Sequence, residues 1–194
     1  MKKNTIVFLI QLLISFAAVG ETLEQVGDWS ETKNYLKARL ILRHRVTPEV
    51  EGNETLAYLE LCNTCPPQGT IIRKIEFSPT HAMSFCVKNA NGTPIAPKPL
   101  FCSTFMSTNA LDLAVPQDGT LRFCISMNGG GVSRDETLLY LKPGEGWYFP
   151  HSSNEVYTLS ATLTLKRKKD GKLDTARWHG SLELPAVRIP VPSD

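Results

Sequence analysis

The groups with the most chemistry in this 194-residue chain are five cysteines, Cys62, Cys65, Cys86, Cys102 and Cys124, and four histidines, His44, His81, His151 and His179. Cys62-Asn63-Thr64-Cys65 sets two thiols at the spacing of a redox dithiol or half a zinc site, and His81 or Cys86 could extend the ligand set. The flanks argue against both. A redox pair belongs at a strand-to-helix junction, whereas Pro66-Pro67-Gln68-Gly69 leads into another strand. His81 and Cys86 are five residues apart, which puts them on opposite faces of one strand. Structural disulfides are the favoured use, with at most two bridges and one thiol left over. Cys62 shares its strand parity with Tyr58 and Glu60, Cys86 with Ser84 and Lys88, and Cys124 with Arg122 and Ser126. Bridges are therefore expected on the outer faces or tethering the Cys102 segment. The histidines lie in no metalloprotease or nucleophile-elbow motif. His44 reads as a core or rim histidine, and His179 as an outward one. Asn128-Gly129-Gly130-Gly131 runs into a strand, not a helix N-terminus, so it reads as a hairpin loop and not a phosphate cradle. The chain is expected to be non-catalytic, with no cofactor and no resident metal.

Binding chemistry is better represented. One strand carries Lys37, Arg39, Arg43 and Arg45 on its odd face, and a hairpin tip carries Lys166, Arg167, Lys168, Lys169 and Lys172. Either is a solvated face that discourages strand addition, or an anion patch for envelope polymers or lipid headgroups. Trp147, Tyr148, Phe149 and His151 form the best aromatic anchor. With Asn128 and Arg134 they place the expected recognition surface in end loops at 128–134, 144–153 and 89–99.

These residues must be positioned by strands. Hydrophobic residues make up 42% of the chain and charged residues 21%, the balance of one globular domain and not of a disordered chain. Residues 1–20 read as a cleaved signal peptide: Lys2 and Lys3 precede an apolar run, and Ala18-Val19-Gly20 offers small residues for cleavage. The mature domain is then 21–194, secreted or periplasmic, with no transmembrane span. Lysines and arginines total 21 against 19 acids, and loss of Lys2 and Lys3 leaves no net charge, so no nucleic-acid partner is expected.

Leu36, Ala38, Leu40, Leu42 and Val46 alternate with the cations as a half-buried strand, and short strands follow at 55–62, 69–77 and 82–87. Residues 88–119 are broken by Pro94, Pro97 and Pro99 into a crossover in which 111–115 could pair. Residues 120–127 and 137–141 are expected to form a hairpin. Asp170-Gly171 predicts a two-residue turn that sets Leu163 opposite Trp178 and Thr162 opposite His179. Pro185 should then shift the phase, so that Val187, Ile189 and Val191 share a face on an edge strand.

Short strands with dense turn signals define an all-β antiparallel sandwich. Leu141-Lys142-Pro143-Gly144-Glu145, Val156-Tyr157-Thr158-Leu159-Ser160-Ala161 and Trp178-His179-Gly180-Ser181-Leu182-Glu183-Leu184 resemble the closing strands of immunoglobulin-like β-sandwich modules in exported bacterial proteins. The resemblance covers about the last 50 residues. It implies an architecture and no chemistry. The expected function is a non-catalytic binding or structural module for a protein or envelope partner. The rivals are an inhibitor of an exported hydrolase and a metal-binding protein built on Cys62 and Cys65.

Overall fold

In the computed structural model, residues 23–47, 52–65, 73–100, 111–126, 135–152, 155–165 and 177–191 are described. The alternation from Leu36 to Leu42 becomes one long strand, β2 (Leu36–Thr47), hydrogen-bonded in unbroken register to β3 (Gly52–Asn63). The even-numbered side chains Leu36, Ala38, Leu40 and Leu42 are fully buried. They meet Ala57, Leu59 and Leu61 of β3 in the same core.

A large sheet grows outward from this pair. β1 (Leu23–Val26) flanks β2, while β10 (Glu136–Lys142), β11 (Glu145–Pro150) and β7 (Lys98–Pro99) follow beyond β3. β9 (Thr120–Cys124) also pairs with β3. Pairing is antiparallel except between β3 and β10, where Thr137 and Leu138 lie parallel to Asn53 and Glu54. The expected hairpin of 120–127 with 137–141 does not form. The twelve-residue β3 offers one long edge, and β9 takes its C-terminal half while β10 takes the start, so these strands lie end to end on it.

The second sheet runs β13 (Gly180–Arg188), β12 (Thr158–Leu165), β5 (Met83–Lys88) and β6 (Pro94–Ile95), and β4 (Arg73–Phe77) pairs with β8 (Leu111–Val115). One helical turn, α1 (Pro79–Ala82), precedes β5. Leu159, Leu163, Leu182 and Leu184 of the second sheet join the β2 and β3 side chains in a single core, and Phe77 meets Phe123 edge-to-face at 4.9 Å. The result is an all-β, sandwich-like fold. The proline-rich segment does cross between sheets: Pro94 sits in an edge strand of one and Pro99 in an edge strand of the other, the positions where a missing N–H is tolerated.

The C-terminal hairpin is shifted. Leu163 pairs with Leu182 and Thr162 with Glu183, four residues beyond the register of a two-residue turn. Trp178 explains the displacement. Its backbone N–H donates to Lys74 O at 3.0 Å and its indole Nε1–H to Lys33 O at 2.8 Å, which draws 177–179 away from β12. The indole is thereby buried with its polar edge satisfied. Asp170 and Gly171 lie outside the described residues. The phase change at Pro185 is present: Leu182 and Leu184 are buried on one side of it, Val187 and Ile189 on the other, with a bulge opposite, between Leu159 and Ala161.

Candidate functional site

The outward face of the large sheet collects the charges. Register sets Arg39 of β2 opposite Glu60 of β3, and Glu60 opposite Arg122 of β9, so cation, anion and cation stand in one row across three strands. Arg39 Nε donates to Glu60 Oε2 at 2.6 Å and Arg122 Nε to Glu60 Oε1 at 3.1 Å. On the other side, Glu24 of β1 pairs with Arg43 in register and accepts from its Nη2 at 2.6 Å and its Nε at 3.0 Å. Arg122 Nη1 lies 3.6 Å from Glu24 Oε1 and closes the series into one ladder, Arg39–Glu60–Arg122–Glu24–Arg43.

Aromatic rings finish the face. Trp29, just after β1, takes the Arg39 guanidinium at 4.4 Å and the Lys37 ammonium at 4.8 Å from its ring centre, and Arg43 lies 5.7 Å from the Tyr58 ring. Ile41 shares this side of β2 between Arg39 and Arg43 yet is fully buried. Its register partners on the neighbouring strands are Val26 and Tyr58. The Glu24 carboxylate raises the Arg43 guanidinium above its ordinary value, chiefly through the hydrogen bond and against the opposing effect of desolvation. A raised cation pKa adds stability that is complete below the unfolded value and fades only as pH climbs past it. This pair is therefore insensitive to pH through the neutral range.

Lys37, Arg39, Arg43 and Arg122 face Glu24 and Glu60, an excess of two positive charges. Each guanidinium has five N–H donors and the ladder occupies only some of them. The arginines are thus held in place with donors to spare.

Three of the four expected anion-patch residues, Lys37, Arg39 and Arg43, stand together here. The backbone of Arg45 pairs with Glu54, and its side chain lies outside the described residues, as do Asn128, Arg134, Cys102 and the basic tip at 166–172. The expected aromatic loop at 144–153 is instead largely strand β11. Trp147 is 4% exposed and donates to Ile95 O at 2.9 Å, while Phe149 is 1% exposed and lies against Tyr157. His151 is buried with its Nε2 at 2.9 Å from Thr137 Oγ1. Tyr148 alone of the four is half-exposed, with Lys98 over its ring.

The expected pair of disulfides is not present. Cys62, Cys65, Cys86 and Cys124 are free thiols, and two bridges from five cysteines would need at least one pairing among these four. Geometry is the reason. Cys65 is buried, and Cys86 belongs to the second sheet. Cys62 pairs with Thr120 while Cys124 pairs with Tyr58, so the latter two are offset by four residues, ~13 Å along the strand direction. Nor do Cys62 and Cys65 act together: the Asn63 side chain accepts from Cys65 N and donates to Val115 O, pinning the buried thiol behind the strand end. Among the described residues no three His, Cys, Asp or Glu side chains cluster as a metal site. His44, 1% exposed, lies 3.4 Å from Thr55 Oγ1, in keeping with a core histidine, and His179 is not opposite Thr162 but accepts at its backbone O from Asn34.

The chain matches no protein-family model, no curated protein and no solved structure.

Nothing in the sequence marks Trp29, Glu24 or Glu60 as site residues. Strand parity turns Glu60 and Arg122 outward, but what joins them is the order of strands across the sheet, with β9 placed beside β3. Among the described residues no helix is long and apolar enough to cross a membrane.

Proposed function

We propose that the chain is an exported, non-catalytic binding module of immunoglobulin-like sandwich type, and that its recognition surface is the cation–aromatic face of the large sheet and not the end loops. One observation carries this reading. Arg39, Arg43 and Arg122 are fixed by only two carboxylates, which with Lys37 on the Trp29 ring leaves two cations in excess beside the Trp29 and Tyr58 rings. A guanidinium held by a carboxylate has already lost much of its side-chain freedom, so an incoming anion need not order it. Cations at 37, 39 and 43 spread over ~20 Å of extended strand, which suits a linear acidic polymer of an envelope better than a compact anion.

The test is titration calorimetry with polygalacturonate oligomers at two salt concentrations. Binding should weaken as salt rises, and Lys37→Gln with Arg43→Gln should weaken it at least tenfold while leaving the fold intact by circular dichroism. Binding that ignores both salt and the double substitution, or no binding at low salt, would reject this assignment.

A further inference from the structure

A second surface lies at the side of the molecule, where the edge of the second sheet meets the segment after β1. β13 ends its sheet, and no described strand pairs with its other side. A groove of about 440 Å³ runs beside it, lined by Trp29, Glu31 and Lys33 on one wall and by Leu182, Glu183, Leu184 and Pro185 on the other. Four consecutive residues of a strand cannot all reach one groove through their side chains, because these alternate between faces. Leu182 and Leu184 are in fact buried in the core. What they present to the groove is their main-chain edge.

The wall opposite is anchored at both ends. Gly27 approaches so closely that a Cβ there would lie 3.3 Å from Val187 Cβ, and at the other end Lys33 O accepts from the Trp178 indole and Asn34 donates to His179 O. Between these anchors the segment stands away from β13 over residues 182–185, a length of ~10 Å, enough for three or four residues of extended chain. The same wall obstructs edge-to-edge approach of a second sandwich, and Pro185 interrupts the row of donors that a symmetric β13 pair would need.

We propose that this groove takes an extended peptide segment of another protein, which adds to β13 as a fifth strand with its side chains against Trp29, Glu31 and Glu183. Main-chain hydrogen bonds would supply affinity, and two carboxylates against one lysine on the walls favour a basic segment. The groove shares Trp29 with the cation–aromatic face but none of that face's charged residues, so charge substitutions test the two sites apart.

The experiment selects heptapeptides from a random display library against the full chain and measures the winners by fluorescence anisotropy. The expected result is enrichment of basic, extended sequences. Binding should fall at least tenfold for the surface variant Glu31→Arg with Glu183→Arg, and likewise when alternate peptide amides are N-methylated, with new amide-exchange protection at 182–184. Enrichment of no peptide, equal binding by the variant or the N-methylated peptide, or protection elsewhere would overturn the proposal. Arg43→Gln should leave peptide binding unchanged, because the Arg43 guanidinium lies over the Tyr58 ring and not over Trp29.

Discussion

Replacing Glu60 by glutamine should weaken the fold and strengthen anion binding at the same time. The Glu60 side chain is 8% exposed, against 25% for Arg39 and 38% for Arg122, so the substitution withdraws the dry charge while its two wetter partners stay. Stranding charges in a fully buried pair costs ~3–5 kcal/mol, and an exposed pair is worth ~0–1 kcal/mol. With a buried carboxylate, screened guanidiniums and an amide oxygen that still accepts one bond, the expected loss is about 2 kcal/mol. For a domain of this size that is a fall in Tm of about 4–8 °C. Scanning calorimetry at low and high salt should show the gap to wild type narrowing as salt screens the unpaired arginines. The same variant adds one positive charge to the face, so its affinity for polygalacturonate at low salt should rise. A coupling energy of ~1 kcal/mol or more between Arg39 and Glu60 in a double-mutant cycle would assign the loss to the pair itself. A Tm within ~1 °C of wild type, with no coupling, would refute the account of the ladder as an interlocked network.

Three further outcomes are expected. Trp178→Phe deletes the donor to Lys33 O while keeping an aromatic ring, and urea unfolding should register a loss of ~1–3 kcal/mol from the orphaned carbonyl and lost contacts. In a Cys102→Ser background, maleimide should label exposed Cys124 first, half-buried Cys62 and Cys86 more slowly, and buried Cys65 only on unfolding; early labelling of Cys65 would contradict its placement behind Asn63. Cysteines introduced at Thr162 and Glu183 should crosslink on mild oxidation, whereas a pair at Thr162 and His179 should not, and the reverse outcome would restore the two-residue turn.

Much of the architecture was legible because strand patterning is local. The buried even positions of β2, the inward Ile125 of the 120–127 segment, the outward Cys62 and Cys124, and the phase change at Pro185 all follow from side chains alternating along an extended backbone. The aromatic run at 147–149 shows the limit of the same logic. Three large rings beside a Pro143-Gly144 turn look like a displayed loop, but β11 lies inside a sheet, and alternation turns Trp147 and Phe149 to the core while Tyr148 stays outside.

The sequence by itself determined most of the strands, though not β11, and which side of each is apolar. Only the tertiary structure decided which strands are neighbours and in what register. A period of two is unchanged by any even shift, so a register four residues away buries the same leucines, and hydrophobic alternation carries no information to separate the two. The choice fell to distant contacts, the Trp178 backbone N–H reaching Lys74 O and its indole reaching Lys33 O, just as the charge ladder depends on β9 lying against β3. Long-range pairings of that kind are settled by packing and hydrogen-bond satisfaction across the whole core, where no window of neighbouring residues can register them.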